Sequence, residues 1–269
     1  MITYFTNFLD CPLILALEII FFLLVLYTLY GWIACRVSRK AILTIGPFTS
    51  WDALIALLLS GWFLGVIVSS LGKEENISLS LIVFNVVIYF FIVGGICAFL
   101  SLRHLSPTIL FGLRPTHPLK IIKQASLWLL VTYPLIMASQ GAIEVLFGTG
   151  DDTQAVVTYF LHHHAFQDRL AIIIMAVIVA PCAEEFLFRG YLYSVSRRFL
   201  GRIPAIIGTS LLFAAVHLNL PSMLSLSLLA VMLCLLYERT GSLWSNICVH
   251  AMFNSISIVM LLLFQKDLL

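Results

Sequence analysis

Charge is what this chain has least of. Only 10% of its 269 residues are Asp, Glu, Lys or Arg, where a soluble domain typically carries about 25%. With so little charge, most of the surface cannot face water, and a large soluble core is excluded. The chain is 61% hydrophobic with a mean hydropathy of +1.07, so its surface has to meet lipid. It has no basic arm and a formal net charge of only +2, which excludes a nucleic-acid partner. Its six cysteines (Cys11, Cys35, Cys97, Cys182, Cys234, Cys248) form no C-x-x-C pair and read as small buried apolar residues. No basic segment precedes the first apolar run, which is therefore expected to stay as a span and not to be cleaved as a signal peptide. There is no internal repeat and no low-complexity tract, so one transmembrane domain is expected over 1–269.

Long apolar runs are what the chain has in abundance. A membrane helix needs roughly 20 apolar residues. Eight candidates stand at about 13–35, 51–71, 79–102, 124–143, 170–193, 203–218, 222–237 and 242–264. The expected fold is all-α and polytopic, with about eight transmembrane helices. The sixth and seventh runs are short and joined by Asn219-Leu220-Pro221, which suggests a tight hairpin.

Basic residues alternate with the spans. Arg36, Arg39 and Lys40 follow the first. Arg103, Arg114, Lys120 and Lys123 separate the third from the fourth. Arg197, Arg198 and Arg202 separate the fifth from the sixth, and Arg239 the seventh from the eighth. The positive-inside rule then puts these loops in the cytoplasm and both termini outside. The 103–123 connection, with Pro107, Pro115 and Pro118, reads as irregular or interfacial. The 144–169 connection carries Asp151, Asp152 and His162 to His164, and is expected to be a solvated loop or interfacial helix and not a metal site. Asp52 stands at a span end as a hydrated or helix-start acid. Glu18 lies deeper and is expected to make a structural hydrogen bond.

Ionisable groups inside a membrane are costly and usually functional. They gather in the last four spans: Glu184, Glu185 and Arg189 in the fifth, His217 in the sixth, and His250 with Asn254 in the eighth. Glu185 and Arg189 share a helix face, as do His250 and Asn254. Glu184 points about 100° away from Glu185, so Glu184 is assigned to a cavity and Glu185 to Arg189, with the reverse still open. At 1.5 Å per residue from the nearest basic anchor, Glu184, His217, His250 and Asn254 lie at about 20, 22, 17 and 22 Å. Similar depths on three helices suggest one site formed by helices 5, 6 and 8. Pro181 should free the carbonyl of Val177 and kink the fifth helix.

A carboxylate, two imidazoles and an amide fit peptide hydrolysis with a trapped water. Glu184 suits a general base, His217 could position the water, and His250 and Asn254 could donate to an oxyanion. Glu184, His217 and His250 could equally hold zinc, although no H-E-x-x-H is present. Taken alone, these residues leave hydrolysis and proton-coupled transport both open. Transporters often show paired repeats, and no matching acidic motif occurs in the first four spans.

The three motifs Glu184-Glu185-x-x-x-Arg189, Phe213-x-x-x-His217 and His250-x-x-x-Asn254, in that order on late spans, resemble the CPBP family. This family comprises CAAX prenyl endopeptidases of the Ras-converting type and bacteriocin-processing or immunity (Abi) proteins. The resemblance covers roughly 170–264, with 1–169 as supporting helices. It implies an intramembrane endopeptidase with a cavity open to the cytoplasm. Glu184 and His217 would activate water, His250 and Asn254 would stabilise the oxyanion, and Glu185, Arg189 and Phe213 would support the site. The family has been described both as metalloproteases and as glutamate-dependent proteases, so zinc or no cofactor stays open. The implied partners are the bilayer and a membrane-associated protein or peptide substrate, and the expected location is a bacterial inner membrane. The alternative is a non-catalytic immunity or scaffold protein.

Overall fold

The computed structural model describes residues 41–71, 78–114, 117–147 and 165–264, with Thr28, Val157 and Phe160 as isolated positions. The expected first span apart from Thr28, and Glu18, Asp151, Asp152 and His162 to His164, lie outside the described residues. The chain is all-α, and no strand occurs among the described residues. In order the helices are α1 (Ser50–Ser70), α2 (Leu79–Leu102), the single turn α3 (Pro107–Leu110), α4 (Pro118–Phe147), α5 (Phe166–Leu200), α6 (Arg202–Ala215), α7 (Met223–Thr240) and α8 (Leu243–Phe264).

Six of these helices are long and apolar enough to cross a membrane. The exception among the expected spans is α6. Its 14 residues reach about 21 Å, short of a hydrocarbon core of about 30 Å. It ends where Leu218 takes a positive φ of 53°, and the Asn219 side chain accepts the Ser222 N–H at 2.8 Å. This is the expected hairpin, and α6 and α7 pack along each other.

Helix α4 begins earlier than expected, with Pro118 as its first residue, a position where the missing N–H costs nothing. Within the 103–123 connection, expected to be irregular or interfacial, residues 107–110 and 118–123 are helical. Asp52 is the helix-start acid anticipated, but it is not hydrated. It is fully buried, accepts the Thr49 N–H at 2.7 Å and pairs with Arg103 at 2.5 Å. The pair ties the start of α1 to the end of α2.

Helix α7 is the axis of the bundle, with nearly every residue from Leu228 to Glu238 buried. One apolar cluster joins it to α4 and α8 through Leu129, Ile136, Leu233 and Val249. Another joins it to α1, α2, α5 and α6 through Phe63, Leu100, Phe188 and Phe213. Helix α1 buries only Asp52, Ala56 and Phe63. It leaves Leu54, Leu57, Leu58 and Leu64 exposed, as a lipid-facing helix does.

The basic ends of the helices are tied together. Glu238 Oε1 accepts from the Tyr193 hydroxyl at 2.5 Å and pairs with Arg197 at 2.7 Å. The Glu238 carbonyl accepts the N–H groups of Ile42 and Leu43. Two glycine turns meet beside this network. Gly241 ends α7 with φ +60°, and Gly112 has φ +64°. A Cβ on Gly112 would lie 1.8 Å from the Gly241 carbonyl oxygen, so only glycine permits that approach.

Candidate active site

Helix α5 is not uniformly wound. Met175–Val179 and Glu185–Tyr193 are π-helical, on either side of the α turn Ala180–Glu184. Wide turns of this kind are rare and frequent at functional sites. In the first, the Ala180 N–H bonds back to Met175 O, five residues earlier. In that register the carbonyl opposite Pro181, which has no N–H to give, is that of Ala176. An α register had pointed to Val177, and the wider turn moves the position by one residue. The Ala176 carbonyl is taken by Asn254 Nδ2 from α8 at 2.8 Å.

The second π segment carries Glu185 and Arg189, and all nine of its residues are buried. Glu185 Oε1 accepts from Arg189 Nη1 at 2.8 Å and from His250 Nδ1 at 2.8 Å. Its Oε2 accepts from Asn246 Nδ2 at 3.3 Å, and the same amide reaches Leu233 O on α7 at 2.7 Å. The Arg189 guanidinium lies over the Phe213 ring, 4.3 Å from its centroid. Three donors and a cation–π contact offset the cost of burying this carboxylate and guanidinium.

Glu184 points elsewhere. Its Oε1 accepts from the Tyr89 hydroxyl of α2 at 3.3 Å. Its Oε2 stands 3.8 Å from His250 Nε2, too far for a direct hydrogen bond. His250 is thus set between two carboxylates. An ionised Glu185 can only accept, so Nδ1 carries its proton and Nε2 is the atom turned to Glu184.

His217 is not on the face of α6. It lies in the turn that ends the helix, where its N–H meets Ala214 O. Its Nδ1 is 2.7 Å from Phe213 O. A carbonyl only accepts, so Nδ1 carries the hydrogen and Nε2 keeps a lone pair when the ring is neutral. The contact also satisfies one of the carbonyls left open at the helix end. The Phe213 ring borders both imidazoles, with centroids 4.8 Å from His217 and 5.8 Å from His250.

The structure therefore brings Glu184, Glu185, Arg189, Phe213 and His250 into contact and joins His217 to them through Phe213. Asn254 stands one turn further along α8, engaged with α5. Two contributors escaped the sequence analysis. Asn246 was visible as the first member of a 246, 250, 254 series at helical spacing. Tyr89 gave no signal, being one aromatic in an apolar run.

A catalytic zinc would need Glu184, His217 and His250 to converge on one point. Among the described residues no three His, Cys, Asp or Glu side chains stand where they could hold an ion. His250 and His217 hold Nδ1 in hydrogen bonds and keep Nε2 free, but Glu184, His217 and His250 do not form a group of three that could hold an ion. The residues as arranged do not fit a metal shell.

Residues 166–256 match the family described as Type II CAAX prenyl endopeptidase Rce1-like. The matched stretch contains every residue of the three motifs. A relative from Bacillus subtilis (strain 168), named "Putative membrane peptidase YdiL", is 31% identical over 145 residues, covering 50% of this chain. The chain spans about half the length of that relative, 55%. No solved structure matches the chain. Residues 166–256, which hold the buried acid pair and both histidines, are thus similar to the Rce1-like family, and the chain is an all-α integral membrane protein.

Proposed function

We propose that the protein is an intramembrane endopeptidase that hydrolyses a peptide bond of a membrane-associated protein or peptide. The observation that carries this reading is the placement of His250 Nε2 and Glu184 Oε2, 3.8 Å apart, with His250 Nδ1 held by Glu185. A base and a potential donor then face one small volume, where one water or one carbonyl oxygen can touch both.

In this mechanism Glu184 takes a proton from the water as its oxygen attacks the peptide carbonyl carbon. His217 Nε2 accepts the other water hydrogen and orients the nucleophile. The carbonyl oxygen becomes an oxyanion. His250, protonated on both nitrogens, donates Nε2–H to it, while the buried Glu185 carboxylate stabilises the imidazolium. Glu184 then returns its proton to the amide nitrogen as the C–N bond breaks, leaving a carboxylic acid and an amine. Donors fixed where charge develops are commonly the largest catalytic term.

The orientation follows the same division as the charges. Arg103, Arg197, Arg198, Arg202 and Arg239 all stand at helix ends on one side of the bundle, so that side is assigned to the cytoplasm. The exposed Arg198, replaced by cysteine in a cysteine-free chain, should react with an impermeant thiol reagent only from that side.

Incubation of purified protein with prenylated and unprenylated membrane peptides in H2¹⁸O tests the reading. It expects one ¹⁸O in the new carboxylate, with and without chelator. Absence of cleavage across the peptides, with a folded protein, favours the scaffold or immunity reading.

A further inference from the structure

Asn246, His250 and Asn254 lie at successive turns on one face of α8, and all three donate to neighbouring helices through that face. Asn246 reaches Glu185 Oε2 at 3.3 Å, His250 reaches Glu185 Oε1 at 2.8 Å, and Asn254 reaches Ala176 O at 2.8 Å. The first two bind a side chain. The third binds the backbone, at the one carbonyl of the wide turn that faces Pro181. Such a carbonyl, left unpaired in an apolar setting, costs as much as a lost hydrogen bond.

We propose that Asn254 is a positioning residue whose amide replaces the N–H that Pro181 lacks, and so sets the height at which α8 presents His250 to Glu184. The proline opens the turn, the turn exposes the carbonyl, and the carbonyl holds the amide. His250 stands one turn away on the same rigid helix, so a slip at Asn254 moves Nε2 relative to Glu184. Asn254 then acts on the reaction through His250. The inference about catalysis rests on the endopeptidase reading, whereas the backbone clamp does not.

A double-mutant cycle between Pro181→Ala and Asn254→Ala tests both parts. Unfolding temperature in detergent reads the clamp without any need for activity. With Pro181 present, Asn254→Ala should lower it by about 2–4 °C. In the Pro181→Ala background, where the restored N–H can serve the Ala176 carbonyl, the same change should cost clearly less. Equal losses in both backgrounds overturn the clamp. Should Pro181→Ala not fold, Asn254→Leu replaces it, because an apolar side chain of similar size cannot donate to a carbonyl. It should lower the unfolding temperature at least as much as Asn254→Ala, and unchanged temperatures in both variants overturn the proposal. On a cleaved peptide, Asn254→Ala should reduce kcat by up to about a hundredfold with little change in KM. That loss should shrink in the Pro181→Ala background. A kcat loss of the same factor in both backgrounds overturns positioning and supports a direct oxyanion donor. A wild-type protein without peptidase activity defeats the endopeptidase reading, and the unfolding cycle still decides the clamp.

Discussion

The hydroxyl of Tyr89 donates to Glu184 Oε1 across 3.3 Å and thereby joins α2 to the acid pair of α5. Helix α2 lies in the half of the chain expected only to support the site, yet it reaches the carboxylate proposed as base. With Oε1 held by Tyr89, Oε2 is the oxygen left to face His250.

Tyr89→Phe removes that donor and little else. One neutral–charged hydrogen bond contributes about 1.5–3 kcal/mol. If half of it acts on the orientation of Glu184, kcat should fall about 4- to 13-fold with KM nearly constant. Steady-state kinetics on a cleaved peptide check this. An unchanged kcat would show that Glu184 holds its place without α2.

Arg189→Met should be among the most destabilising single changes. Both partners of the Arg189–Glu185 pair are at most 1% exposed, and removing one leaves an uncompensated buried charge, at a cost of about 3–5 kcal/mol. Adding Glu185→Gln to the variant should recover much of the loss, because no buried charge then stands alone. Detergent unfolding of the single and double variants decides it. A double variant no more stable than the single would mean that the cation–π contact with Phe213, and not the ion pair, holds this region.

Gly112→Ala and Gly201→Ala separate backbone strain from close approach. Both glycines have positive φ, which costs a residue with a Cβ roughly 1–2 kcal/mol. A Cβ on Gly201 meets nothing, whereas one on Gly112 runs into the Gly241 carbonyl at 1.8 Å. Gly112→Ala should therefore lower the unfolding temperature well beyond Gly201→Ala. Equal effects would mean that the α7–α8 turn moves aside freely.

How much of this was legible in the sequence depends on the kind of signal. Glu184, Glu185, Arg189, His217, His250 and Asn254 stood out because ionisable or amide groups in apolar spans have few bland explanations, and their depths agreed. The helices at 51–71, 79–102 and 170–193 followed from run length alone. Where α4 begins did not, because Pro118 reads as a breaker until its place at a helix start is known. Tyr89 was invisible, since its one polar atom matters only once α2 is packed against α5. The one-residue shift from Val177 to Ala176 was hidden too. Backbone register in a wide turn depends on a partner, here Asn254, that lies 78 residues away along the chain.

The roles of the two neighbouring carboxylates rest on the same packing. Glu185 is enclosed by Arg189, His250 and Asn246 and has no free face for a substrate. Glu184 has Tyr89 on one oxygen and a gap before the other. Their division of labour was assigned from a 100° offset in a uniform helix. In the π-helical segment the two carboxylates still have different hydrogen-bond partners, Tyr89 on α2 for Glu184 and His250 on α8 for Glu185.

The most direct measurement is the single-turnover cleavage rate of Glu184→Gln beside the wild type, on one peptide and at equal occupancy. The amide keeps the shape and can still accept from Tyr89, but it cannot take a proton from water. The account predicts a loss of about 10²- to 10⁴-fold, with peptide binding and unfolding temperature preserved. A rate equal to the wild type would contradict it.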